Sequence, residues 1–425
     1  MRLNDDPIAS SLRRRVVITG IGVIAPNGQD NDTFWNSIRL GESAAGPVTR
    51  FDVSTFPNKI AAELKGFDLG AYVDPKKAKR FDLSAQYGIA ASVRAVRDAD
   101  LRISDLDPDR VGVVEGSSVS GMESTLKAHV AFLSRRGYRA MSPFTLINAY
   151  SGSGSGEIAL ELGIHGLAVS YSSGSASGND VIGYAASLIR GDEVDVVIAG
   201  GTEAPLLAGL YGAFCLTRVM SARNDHPREA MRPFDKTHDG FVLGEGAAFL
   251  VIEELTHALS RGAKIYAEIL GHGRSCEAYH SVSPHPDGVG MQRAIEKALR
   301  NACLHPSEVD YVNLHGTATG TNDRAECTAL KRVLGDHAYR VAVSSTKPVT
   351  GHLLAAAGAL ETAVCALAIQ NQEIPMTVNF REPDEGCDLD YVPDKSRPYP
   401  VRVALNCSVG FGGKNACLVL KEYKA

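Results

Sequence analysis

Four segments carry side chains whose types and spacing could do chemistry. The run Ser170 to Asp180, Ser-Tyr-Ser-Ser-Gly-Ser-Ala-Ser-Gly-Asn-Asp, leads a strand pattern through small residues into a helical one. Small side chains let the chain turn sharply and present one hydroxyl at a helix N-terminus, where the helix dipole favours developing negative charge. Taken alone, this stretch reads first as a capping turn without chemistry. In the second segment, Val312 to Gly320, a strand ends in His315 followed by Thr317 and Thr319. The third, Ser344 to Leu354, holds Lys347, Gly351 and His352, and His352 is expected to open a long apolar helix from Leu353 to Ile369. A histidine at a helix N-terminus is held toward its neutral form, which donates a hydrogen bond without carrying charge. One such histidine is usually structural. Two, each framed by glycine and threonine, bring a site level with that reading. The fourth segment is Asn406 to Gly413, where glycines expose backbone N–H groups suited to an oxyanion hole.

These segments need elements to hold them. β-branched runs at Arg15 to Thr19, Val111 to Val114 and Val194 to Ala199 read as strands, while Ala85 to Ala99 and Asp180 to Arg190 read as helices. Strands spaced by helices imply βαβ units and a mostly buried sheet, an α/β fold. A weak internal repeat is also visible. Lys264 to Gly273 echoes Arg15 to Gly22, and Val401 to Gly413 echoes Asp195 to Gly201 as a late strand ending in glycines. Each half then holds one βαβ set, with the join near residues 255–263 and no linker. The division is a short extension over residues 1–14, one half over 15–258 and a second over 259–425.

Composition narrows the function classes. The 425 residues carry 44 basic and 49 acidic side chains, so nothing in the balance points to nucleic acid. No run of about 18 apolar residues suggests a membrane span, and Met1 to Arg15 lacks an apolar secretory core. Eight scattered cysteines form no C-x-x-C and read as reduced thiols of a cytoplasmic protein. The 42 glycines fall in clusters, such as Ser151 to Gly156, which argues for close backbone approaches rather than low complexity. Gly20-Ile21-Gly22-Val23-Ile24-Ala25 fits a dinucleotide fingerprint, but Pro26-Asn27-Gly28 reads as a turn where that site needs a helix.

Taken together, the segments resemble the β-ketoacyl–acyl-carrier-protein synthases. The resemblance runs from about Arg14 to Lys424 and rests on H-G-T-x-T at His315, K-x-x-x-G-H-L at Lys347 and the terminal G-F-G-G at Gly410. Further matching stretches are Arg232 to Asp235, Asp239 to Gly246 and Cys387 to Pro393. The nearest likeness is to the second bacterial elongation synthase and to the ketosynthase subunit of type II polyketide synthases. It implies a thiolase-like fold, two similar βαβ halves in a five-layered αβαβα architecture. It implies a decarboxylative Claisen condensation with substrates on the phosphopantetheine of acyl carrier protein and no separate cofactor. His315 and His352 would hold the malonyl thioester oxygen, Lys347 would support them and pair with Glu361, and Phe411 would sit alongside. The backbone N–H groups of Ser175 and Val409 would form the oxyanion hole. Thr317 and Thr319 would hold pantetheine, and Val119 and Val409 would line the acyl pocket. A homodimer, or a heterodimer with a chain-length-factor-like subunit, is expected.

The sequence departs from this pattern at the nucleophile. The family has cysteine where this chain has Ser175. A helix N-terminus can lower a thiol pKa enough to give thiolate, whereas a serine hydroxyl is weak without an adjacent base. Acyl loading is therefore expected to be strongly slowed and malonyl binding largely kept. A Cys→Ser variant, engineered to block turnover or trap an ester, comes first; a natural serine enzyme and a non-catalytic partner are the others. The last has no chemical need for both histidines and the lysine. A serine hydrolase or acyltransferase is a weaker reading. Val409 stands where fatty-acid synthases carry a gating phenylalanine, and Val282 replaces a threonine that commonly contacts pantetheine. Carrier proteins are acidic, so a local basic patch is required; Lys76, Lys77, Lys79 and Arg80, with Arg218, are its candidates.

Overall fold

The strand patterns assemble into one ten-stranded sheet in the computed structural model, whose described residues are 14–424. The expected N-terminal extension, apart from Arg14, lies outside them. The strands are β1 (Val16–Ile24), β2 (Val111–Gly116), β3 (Ala168–Tyr171), β4 (Val196–Glu203) and β5 (Gly246–Glu254), then β6 (Ala267–Cys276), β7 (Tyr311–Asn313), β8 (Ala342–Ser344), β9 (Val403–Gly410) and β10 (Lys414–Lys421). In space they run β8-β7-β9-β10-β6-β1-β5-β4-β2-β3. Outward from the β6–β1 junction, each half has the same order: first, fifth, fourth, second, third. Only Val17↔Glu268 and Ile18↔Ala267 pair across that junction. The sheet is thus two five-stranded halves, each with two antiparallel and two parallel pairings.

Six helices complete the layers: α1 (Leu83–Asp98), α2 (Ser153–Leu162), α3 (Ser177–Arg190), α4 (Val289–Ala302), α5 (Gly320–Leu334) and α6 (Ala357–Asn371). The apolar core divides accordingly. One cluster lies under α1 and α2, one under α4 and α5, and the largest surrounds α3 and α6 between the half-sheets. That is the thiolase-like αβαβα arrangement. The stretch Leu354–Asn371, ending in α6, is long and apolar enough to cross a membrane, but it is buried almost throughout inside the protein.

The repeat has a packing cause. A Cβ on Gly22 would sit 2.0 Å from the Ala91 carbonyl oxygen of α1, and one on Gly273 would sit 2.0 Å from the Ala294 carbonyl oxygen of α4. Each half therefore needs glycine where its outer helix presses on its first strand. This also disposes of the dinucleotide fingerprint, because Gly20 and Gly22 lie within β1 and a turn follows. The strand expected at 194–199 instead runs Val196–Glu203, because Gly200 and Gly201 stay in register with Phe249 and Ala248 of β5.

Candidate active site

Ser175 occupies the turn between β3 and α3. Gly174 adopts φ +64°, in the left-handed region, and its carbonyl accepts from both the N–H and the hydroxyl of Ser177, at 3.0 and 2.6 Å. The Ser177 hydroxyl also accepts from the Ser173 N–H at 2.9 Å. Small polar residues thus tighten the elbow that their composition suggested. The end of β9 abuts it. A Cβ at Gly410 would fall 2.5 Å from the Ser173 carbonyl oxygen and 3.2 Å from the Ser175 nitrogen, so only glycine allows the approach. Behind the elbow, Asn406 on β9 donates to Asn179 of α3 and Thr362 of α6, both at 2.8 Å. This buried network fixes α3 against the strand that carries Val409.

The second half supplies the imidazoles. His315 follows β7, and the N–H groups of His315 and Gly316 each donate to Glu326 of α5 at 2.8 Å. Burial, reinforced by Asp323, pushes the Glu326 carboxyl up to about 8. The His352 N–H donates to the Val242 carbonyl at 2.8 Å, and its ring stands edge-on to Phe241 at 5.0 Å. His352 does not begin the long helix as expected. A 3-10 turn at Leu354–Ala356 intervenes and α6 starts at Ala357. The neutral imidazole therefore cannot rest on that helix's dipole.

Its cause is burial. Both histidines have pKa values well below the usual imidazole range, first through desolvation and then through the Lys347 cation; the other imidazole adds to this at His315. The rings lie 5.1 Å apart and nearly perpendicular. Lys347 forms a fully buried ion pair with Glu361, as the family resemblance implied. Burial raises the Glu361 carboxyl to about 7 against the pull of Lys347.

Within the site the hydroxyl of one half touches an imidazole of the other: His352 Nε2 lies 3.1 Å from Ser175 Oγ. The geometry resembles the Ser–His pair of a hydrolase, but two features oppose a general base. Burial, and after it the cation of Lys347, disfavours imidazolium. His352 Nδ1 is buried without a protein partner among the described residues, none of which supplies the orienting carboxylate of a catalytic triad. A bare buried lone pair is tolerated better than an orphaned N–H, which assigns the proton to Nε2. His352 then donates toward Ser175 rather than accepting from it.

A cavity of about 560 Å³ opens over Ser175, His315 and His352. The Thr317 and Thr319 hydroxyls, 3.0 Å apart, face it on one side. Val119, Val409 and Val282 line it, and Phe411 and Arg218 lie along its wall, Phe411 partly exposed. Arg218 is the left-handed residue that ends the helix Ala208–Thr217. The remaining basic candidates do not line the cavity. Lys76, Lys77, Lys79 and Arg80 are exposed around the short helix Pro75–Ala78. Lys77 pairs with Glu161, and Arg80 lies over the Phe144 ring. Sequence reasoning missed Glu326, Asn179 and Phe241. Buried polar positions Asn322, Asp323 and Glu326 on one face of α5, directly after Thr319, were the available signal.

The chain matches the models of the β-ketoacyl synthase N-terminal domain over residues 13–258 and C-terminal domain over 266–381. It is 44% identical over 410 residues to 3-oxoacyl-[acyl-carrier-protein] synthase 2 of Coxiella burnetii, covering 96% of this chain and 99% of the relative. The protein of that name from Synechocystis is 42% identical over 417 residues, covering 98% and 100%. Among solved structures, the ishigamide ketosynthase/chain length factor superposes with a TM-score of 0.91 at 35% identity, covering 97% of this chain and all of the other. The type II polyketide synthase complex AntDE:AntF, an acyl-carrier protein with its ketosynthase bound to the hexaketide, gives 0.89 at 33% identity with the same coverage. Motifs, fold and relatives agree: this chain belongs to the β-ketoacyl synthase family.

Proposed function

We propose that the protein is a β-ketoacyl-acyl-carrier-protein synthase whose condensing chemistry is impaired at acyl loading. The observation that carries this is the placement of two neutral imidazoles and one serine, two residues before a helix, over a single cavity. Malonyl carrier protein would place its thioester oxygen between His315 and His352. As the carboxylate leaves as carbon dioxide, its electron pair becomes an enolate held by the two N–H donors. In the complete reaction the enolate carbon attacks an acyl group on residue 175, the bond to that residue breaks, and a β-ketoacyl carrier protein leaves. Thr317 and Thr319 would hold the pantetheine arm, and Val119 and Val409 the acyl chain. The N–H groups of Ser175 and Val409 would hold the oxyanion, with Phe411 flanking them. Lys347 and Glu361 set the charge around the imidazoles without touching substrate. No separate cofactor enters.

Loading is the weak step because Ser175 lacks a base, which fits a Cys→Ser variant of the family nucleophile. Ser175→Cys should raise condensation by at least about 10²-fold, measured as β-ketoacyl product from acyl and malonyl carrier proteins. No product from the cysteine form, alone or with a partner subunit, overturns the synthase reading and leaves the chain-length-factor-like one. Hydrolysis without condensation favours a serine acyltransferase.

The partners follow from the surfaces. Lys76, Lys79, Arg80 and Arg218 would receive the acidic carrier protein, and the enzyme would work in the cytoplasm. A second thiolase-like chain, another copy or a chain-length-factor-like subunit, would cover the exposed Val130, Phe132, Leu133, Leu146 and Tyr150 and the outer edge of β3. Light scattering on the chain alone separates these: a dimer supports self-association, a monomer the heteromeric arrangement.

A further inference from the structure

Between β2 and the catalytic cavity runs the loop Ser117 to Val119, held by one buried carboxylate. Glu203, at the end of β4, is fully buried and accepts from the Ser117 hydroxyl at 3.0 Å, the Ser118 N–H at 2.9 Å and the Val119 N–H at 3.0 Å. It also accepts from the Ala355 N–H at 3.3 Å, which ties the loop to the turn just after His352. The backbone of Ser118 is therefore fixed, and its N–H is spent on the carboxylate. Its hydroxyl is not: Ser118 Oγ is buried, has no protein partner among the described residues and belongs to a residue that lines the cavity beside Val119.

A hydroxyl held rigidly in a partly apolar cavity without a protein partner discriminates between guests. A methylene chain laid against it leaves it unsatisfied, whereas an oxygen-bearing chain satisfies it, since a hydroxyl can both donate and accept. Sites built to pair a polar group reject analogues that lack it far more strongly than apolar pockets reject an extra methylene. We infer that Ser118 is a specificity-determining residue that selects acyl chains carrying a ketone or hydroxyl oxygen over all-methylene chains. This rests on the synthase reading, in which Val119 borders the acyl chain.

The test uses acyl pantetheine amides, in which an amide replaces the thioester so that no transfer to Ser175 occurs. Octanoyl pantetheine amide is compared by titration calorimetry with analogues bearing a single ketone, or a single hydroxyl, stepped along the chain. The wild type should bind at least one oxygenated analogue about tenfold more tightly than octanoyl. In Ser118→Ala, folded by thermal melting, that ratio should fall to about one. The ketone and hydroxyl series separate donation by Ser118 from acceptance. Equal affinity for every analogue in the wild type, or a ratio unchanged in Ser118→Ala, overturns the inference and leaves the synthase reading intact. Failure of octanoyl and all analogues to bind overturns the synthase reading and this inference with it.

Discussion

The two halves of this molecule share a topology, yet they bring different things to the cavity. The N-terminal half offers one hydroxyl at the start of α3, tightened by Gly174 and Ser177 but without a base. The C-terminal half offers His315, His352 and the buried Lys347–Glu361 pair. The first half should load the acyl chain, and the second should decarboxylate the malonyl unit. Under the proposed function, one of the two chemical tasks would be fully equipped and the other would lack its nucleophile. The contact between Ser175 and His352 does not repair the other, because the features that keep His352 a donor disqualify it as a base.

The largest effect is expected where the C-terminal half buries charge. Lys347→Met leaves the Glu361 carboxyl buried alone and should destabilise the fold by about 3–5 kcal/mol. Removing both charges, as Lys347→Met with Glu361→Leu, should recover most of that in denaturant titration. Equal losses in single and double variants would show that the pair is not held as an isolated ionic unit.

Next comes pH. An unfolded histidine titrates near 6.5 and the folded ones well below it. Their contribution is thus complete above pH 6.5 and lost as pH falls further, by up to about 1.4 kcal/mol per pH unit for each. Glu326 has the opposite sign. Raised to about 8, it contributes fully below the unfolded carboxylate pKa and loses that contribution as pH rises through 8. Melting temperature against pH should flatten on the acid side in a His315→Asn, His352→Asn double variant and on the alkaline side in Glu326→Gln. Flattening of the wrong side by either variant would break the assignment.

The smallest effect belongs to the surface. Lys79→Glu with Arg80→Glu should weaken carrier-protein binding several-fold at low salt and little at high salt, because exposed charges are screened within about 10 Å at 0.1 M. Unchanged affinity at low salt would move the docking site elsewhere.

Much of the site was legible because its residues sit in short segments whose neighbours are small or polar. Gly316 beside His315 and Gly351 beside His352 take positive φ with a neighbouring side chain pressed against them, and glycine is conspicuous in sequence. The repeat was legible for the same reason, since Gly22 and Gly273 answer one packing problem twice. Contacts made across the fold left no such trace. Glu326 reaches back eleven residues to His315, and Glu203 joins Val119 to Ala355 across the middle layer. The 3-10 turn after His352 was also hidden, because Leu353 to Leu360 is unbroken by any polar side chain whether or not its first turn is α-helical.

The division of labour between the halves is tested most directly by supplying malonyl carrier protein alone and measuring carbon dioxide and carrier-bound products together. The serine form should give carbon dioxide and acetyl carrier protein but no β-ketoacyl product, and carbon dioxide release should fall by about 10²–10³ in His352→Ala. No release from the serine form, or release that survives loss of His352, would contradict that division.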